Sequence, residues 1–196
     1  MKKEKISALC MIAAVVALLG FVIENIWLYF RYSEINNRNM ILPMLLGYGL
    51  AIVGLYFMFG TPKHPKFFVW SVETKSRFVN TMFYFFISGI CVMLGECCMG
   101  IFVENVMGFK WWSYESLPLN ITQYTSVPTT IAFALIIVLF MSLVFYPLHQ
   151  AFSKIKSNWF HFFSYLVMIL MIADFIHSAI YMYQNQTTFQ LWSIRF

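Results

Sequence analysis

The sequence predicts an all-α, polytopic membrane bundle of five, or at most six, spans with its N-terminus in the cytoplasm. Three observations predict it. Apolar residues make up 61% of the chain and charged residues only 11%. A soluble domain carries roughly 25% charged residues, so this chain lacks the polar surface that water demands. Aromatic residues reach 20%, and 22 residues are Phe, which suits a lipid-facing surface with interfacial anchors. Finally, five segments hold about 20 apolar residues each, the length that crosses a bilayer at roughly 1.5 Å rise per residue.

Those segments are residues 7–30, 41–60, 78–107, 128–151 and 159–183, within a single membrane domain of residues 1–196. The first follows Lys2, Lys3 and Lys5 in the manner of a signal peptide. Its apolar run continues to Phe30 without a small-x-small cleavage site, so an uncleaved first helix is expected. The third is long enough to tilt, protrude, or break near Gly95 or Gly100, and a break would give the sixth pass. In the second, Gly47, Ala51 and Gly54 form a small-residue stripe that would let another helix approach closely. No tandem repeat and no low-complexity tract is read.

Orientation follows from the Lys/Arg bias. A cytoplasmic N-terminus puts nine basic residues inside (Lys2, Lys3, Lys5, Lys63, Lys66, Lys75, Arg77, Lys154 and Lys156) and four outside (Arg31, Arg38, Lys110 and Arg195). All six tryptophans fall near span ends, where amphipathic rings prefer the headgroup zone. The net charge of +5 is too small and scattered for a nucleic-acid footprint. Cys10, Cys91, Cys97 and Cys98 lie in apolar segments, unlike a secreted disulfide framework. No metal-ligand spacing appears, and no cofactor is indicated.

Ionisable residues within spans are the informative ones, because a charge in hydrocarbon is costly. The first helix carries Glu24 and Asn25, the third Glu96 and Glu104, and the fifth Asp174 and His177. Asp174, His177, Ser178 and Tyr181 share one helical stripe. Counted from the inner ends, Glu24 lies about 26 Å up, Glu96 about 27 Å, and Asp174 to His177 about 22–27 Å. The expectation is a polar cavity in the outer half of the bilayer, lined by Glu24, Asn25, Glu96, Asp174 and His177, with Arg38 as counter-charge. Glu104 belongs at the outer surface. The outer loop, residues 108–127, contains Trp111, Trp112, Tyr114, Pro118 and Asn120, and reads as a lid lying on the membrane surface.

At this loop the sequence resembles the ABC-transporter type IV, or CmpB-like, membrane family. The family pattern has a membrane Glu in its first helix, matched by Glu24. Its Asn-Arg-Gly is matched by Asn37-Arg38, and its Pro with Tyr-Gly-x-Gly loosely by Pro43 and Gly47-Tyr48-Gly49. Glu96 matches the third-helix acid, with Glu104 eight residues on. Trp112, Tyr114, Pro118 and Asn120 match the Trp-Asp-Tyr-Ser-x-x-Pro-x-Asn loop, and Tyr146-Pro147-Leu148 matches a closing turn. The resemblance covers roughly residues 20–155. Ser113 replaces the loop Asp, Asn39 replaces the Gly after Arg38, and the Gly soon after Asn120 is missing.

The resemblance implies a transport permease in the cell membrane and adds Asn37, Arg38, Trp112, Tyr114 and Asn120 to the candidate binding residues. No phosphate loop ending in Gly-Lys-Ser/Thr is present, so ATP hydrolysis would belong to a separate subunit. That subunit would dock on the inner loops, 61–77 or 153–158. Membrane lipids and a second copy of the chain are the other expected partners. Two readings compete with the permease. One is a membrane-embedded enzyme using acid–base chemistry on a lipid or lipid-linked substrate. The other is a non-catalytic membrane scaffold.

Overall fold

The computed structural model describes residues 3–196, so Lys2 of the N-terminal basic cluster lies outside the described residues. The chain divides into two compact units. The first comprises the chain up to Val53 and from Pro147 onward, and the second Gly54–Tyr146. Among the described residues, four helices are long and apolar enough to cross a membrane: Lys3–Tyr32, Arg77–Met107, Val127–Ser153 and Asn158–Asn185.

In the first unit, α1 (Lys3–Tyr32) packs on α6 (Asn158–Asn185). The buried face of α1 is built from Ala8, Ile12, Ala13, Ala17 and Gly20, small enough for a close helix approach. The facing stripe of α6 contains His161, Ser164, Met171, Asp174, Ser178 and Met182. The two helices run parallel. At their N-terminal ends Ser7 Oγ and His161 Nδ1 are hydrogen-bonded at 2.7 Å. At their C-terminal ends β1 (Glu34–Asn36) pairs antiparallel with β7 (Ser193–Arg195). The loop after α1 and the C-terminal strand therefore share one end of this unit. His161 is buried, at 4% exposure.

The expected second span, 41–60, is helical only over α2 (Leu46–Phe59), 14 residues. That is about 21 Å of helix, short of a hydrocarbon core of about 30 Å. Residues 41–45 are apolar but not helical. Pro43 has no N–H to give and disfavours helix in the residue before it, and the other four amides find partners elsewhere. Ile41 and Leu42 donate to the two carboxylate oxygens of Asp174, at 2.9 and 2.8 Å. Met44 donates to the Leu42 carbonyl at 2.7 Å and Leu45 to that of Ala17 at 3.0 Å. Irregular backbone at membrane depth persists only with such partners. The small-residue stripe also differs from expectation. A Cβ on Gly47 or Gly54 would meet open space, whereas one on Gly49 would collide with the Ala13 carbonyl. Gly49 is where this helix touches α1.

In the second unit, α3 (Arg77–Met107) packs on α4 (Val127–Leu139). Ser76 caps the start of α3, and Gly108, at φ 74°, ends it in the left-handed conformation. The helix is unbroken at Gly95 and Gly100, so the sixth pass does not arise from a break there. Ser126 and Thr129 form a capping box at the start of α4. The helix then widens into a π-turn over Phe140–Val144 and continues as α5 (Phe145–Ser153). Pro147 therefore does not close this helix. It follows a local widening, the usual adjustment where a proline removes a helical donor.

Between α2 and α3 lies a small three-stranded ribbon of β2 (Gly60–Thr61), β3 (His64–Phe67) and β4 (Trp70–Ser71). Its tip presents Phe68, Val69 and Trp70, at 49%, 85% and 66% exposure. Between α3 and α4, β5 (Asn120–Thr122) pairs with β6 (Thr125–Ser126).

Candidate functional site: carboxylate–tyrosine stations

Glu24 lies two turns before the end of α1. Arg38 reaches back from the following loop and forms an ion pair with its Oε2. The Tyr48 hydroxyl, from α2, donates to its Oε1 at 2.5 Å. The ion pair is about three-quarters buried on both sides. Arg38 and Asn39 have positive φ, 49° and 62°, and the Asn36 side chain accepts the Arg38 N–H at 2.9 Å. Asn tolerates the left-handed region best after Gly. Asn39 in place of the family glycine is therefore a conservative change at a position whose backbone demands it.

Around this pair the loop is pinned by amides. Asn25 Oδ1 accepts the Asn36 N–H at 2.8 Å. Asn37, 2% exposed, donates to the Met40 and Phe189 carbonyls and accepts from the Leu191 N–H. Asp174 is occupied by the amides of Ile41 and Leu42. His177 is exposed, and its ring packs edge-on against Phe189, as does that of Tyr181. The expected stripe on α6 thus splits: Asp174 and Ser178 face inward, while His177 and Tyr181 turn towards the C-terminal segment. A cleft of about 220 Å³ in this unit is lined by Phe21, Asn37, Met40, Ile41, Pro43 and Trp192.

The second unit holds Glu96 and Glu104. The Tyr114 hydroxyl, from the outer loop, donates to Glu96 Oε1 at 3.3 Å. Glu104 Oε2 accepts from the Tyr124 hydroxyl and from Gln123 Nε2, the latter at 3.1 Å. Trp112 Nε1 donates to the Tyr124 carbonyl at 3.0 Å, and the two rings meet edge to face. The Tyr114 N–H donates to the Gln123 carbonyl at 2.8 Å. Trp112 and Tyr114 therefore fold the loop back onto the 123–124 turn. Burial raises the Tyr124 phenol above its ordinary pKa, and the adjacent Glu104 carboxylate adds to the shift. Ser113, which stands where the family has Asp, still accepts the Glu115 N–H at 3.3 Å, the turn-forming bond an Asp side chain would make. Asn120 is exposed and pairs with Ser126 in the short sheet.

The candidate residues thus form local sets in separate units. Glu24, Asn25, Arg38, Asp174 and His177 belong to the first unit and Glu96 and Glu104 to the second. Tyr48, Gln123 and Tyr124 were missed as site residues. A signal for them was present in a short motif that recurs once, at a distance, without forming a tandem repeat. Gly20-Phe21-Val22-Ile23-Glu24-Asn25 in α1 returns as Gly100-Ile101-Phe102-Val103-Glu104-Asn105 in α3. The geometry returns with it. The Tyr48 ring lies over Gly20, 2.7 Å from where a Cβ would stand, and the Tyr124 ring lies over Gly100. In both cases a helix glycine makes room for a tyrosine that the next part of the chain brings back onto the glutamate one turn later.

Long apolar helices bearing hydrogen-bonded carboxylates define a membrane protein. The family described as "Putative ABC-transporter type IV" matches residues 11–179. The chain belongs to that family, which places it among transport-associated membrane proteins. No curated protein and no solved structure matches it.

Proposed function

We propose that this chain is a permease-like, multi-pass subunit of a transport system in the cell membrane, and that its carboxylate–tyrosine stations handle a cationic or polar solute, or protons. The observation that carries the reading is the recurrence of one device on two apolar helices. In each, a glutamate of an apolar helix is held by a tyrosine hydroxyl. Intramembrane carboxylates are costly and mark solute or proton paths by default. A positive-inside orientation puts the ribbon tip, Phe68 to Trp70, on the cytoplasmic side. Its exposed aromatic residues, with Lys63, Lys66, Lys75 and Arg77 nearby, form the surface on which a separate ATPase subunit docks.

Co-purification from native membranes tests this. The full-length chain is expected to bring down an ATP-hydrolysing subunit, and Phe68→Asp with Trp70→Asp to lose it while the chain stays folded. A wild-type chain that purifies without any ATPase contradicts the subunit reading. Retention by the ribbon variants contradicts the docking surface.

A further inference from the structure

The two stations differ in one respect that names a ligand. In the first, the carboxylate oxygens of Glu24 are divided between donors of different kinds: Tyr48 takes Oε1 and the Arg38 guanidinium takes Oε2. In the second, Tyr124 and Gln123 both crowd onto Glu104 Oε2. Among the described residues no donor reaches Glu104 Oε1, and no Lys, Arg or His pairs with this carboxylate. Lys110, in the same loop, is paired instead with Glu115 at 2.9 Å.

The surroundings are otherwise alike. Both carboxylates sit one turn after a glycine covered by a tyrosine ring. The supporting side chains of the second are well fixed: Tyr124 is 3% exposed and Val103 2%. A carboxylate with one oxygen held by neutral donors and the other open is a half-filled cation site. The first copy shows what fills such a site, because there the chain supplies its own guanidinium.

We infer that the Glu104–Tyr124–Gln123 station binds an external N–H-bearing organic cation, a guanidinium or primary ammonium group, in the role that Arg38 fills for Glu24. The inference rests on reading the stations as the solute-handling part of the protein and narrows the solute to that class. Recognition runs through N–H donors directed at Glu104 Oε1. A cation without N–H groups therefore gains only diffuse attraction, and an inorganic monovalent ion gains little over screening.

The test uses full-length protein in detergent micelles with methylguanidinium at millimolar concentration. Trp112 is the reporter, since its ring packs on Tyr124. Its emission is isolated by subtracting a Trp112→Phe control. A saturable change is expected with methylguanidinium, and none with tetramethylammonium or sodium at equal ionic strength. Glu104→Gln should weaken the response by at least about tenfold, as loss of a charge-assisted bond implies. Gln123→Arg carries a guanidinium into the station. It should raise the melting temperature and abolish the response, and it decides the matter if Glu104→Gln does not fold. No saturable change in the wild type, an equal change with tetramethylammonium, or an undiminished response in Gln123→Arg overturns the inference. Binding is read without ATPase or transport, so its failure alongside intact ATPase co-purification would strike this inference alone.

Discussion

Glu24 and Glu104 stand in the same six-residue setting, yet the chain treats them differently. Glu24 is closed off. A cation and a phenol take its two oxygens, and the loop that delivers the cation is fastened by Asn25, Asn37 and the β1–β7 pairing. Among the described residues, Glu104 receives only a phenol and an amide, both on one oxygen. The first station also serves as scaffold: its charge is neutralised internally and the polar groups around it hold non-helical backbone in place. The second keeps the geometry and leaves the charge unmatched. One device is thus closed by an internal cation in one copy and left open in the other.

The comparison can be broken or sharpened by substitution, and the largest effect is expected where the scaffold is most dependent. Asp174→Ala leaves two backbone donors without acceptors and should cost about 3 kcal/mol. Asp174→Asn, which keeps one acceptor, should cost about half of that. Reversible unfolding in mixed micelles reads both, and hydrogen exchange at Ile41 and Leu42 should accelerate in parallel. Gly49→Ala drives a methyl group into the Ala13 carbonyl and should cost about 1–3 kcal/mol. Gly47→Ala and Gly54→Ala meet open space and should be neutral or stabilising by up to about 1 kcal/mol.

Next in size is the coupling within the first station. A double-mutant cycle on Glu24→Gln and Arg38→Ala should give about 1–2 kcal/mol of coupling. Glu104→Gln, which removes no internal cation pair, should destabilise less than Glu24→Gln in the same assay. Equal losses would erase the distinction between scaffold and open station.

The smallest effect is electrostatic. Hydrogen bonds from Asn36 and Ser193, then the Arg195 guanidinium, hold the Glu34 carboxyl below its ordinary pKa. A depressed folded pKa contributes stability that is fully present above the ordinary carboxylate value and is lost as pH falls through the folded value. Protection of the β1–β7 amides, taken relative to intrinsic exchange at each pH, should therefore fall below the ordinary carboxylate range and stay flat above it. Glu34→Gln should remove the pH dependence.

Most of the helical architecture was legible in the sequence, because length and apolar content decide where long helices form. Four of the expected segments fall on helices, three with both ends within two residues, the ordinary uncertainty of helix ends, and the first with its helix starting four residues earlier, at Lys3. The second was overextended because Ile41 to Leu45 are apolar, and hydropathy does not register that Pro43 and a distant carboxylate hold them out of a helix. Glu24, Glu96 and Glu104 were legible as charges in apolar helices. Their partners were less so. Tyr48 stood out only within a loosely matched motif and Tyr124 not at all, because their contacts arise only when the chain's return brings each ring onto a glycine. Pro147 misled for a physical reason too: the π-turn absorbs the donor it removes, and the helix continues.

Chemical rescue of Arg38→Ala tests the central claim, that each station is built to hold a guanidinium-type cation against a tyrosine-bound carboxylate. Its melting temperature would be measured with millimolar methylguanidinium and with sodium at equal ionic strength. The account predicts a lowered melting temperature that methylguanidinium raises most of the way back and sodium does not, with no rescue in the Glu24→Gln, Arg38→Ala double variant. A melting temperature indifferent to methylguanidinium, or equally raised by sodium, would contradict it.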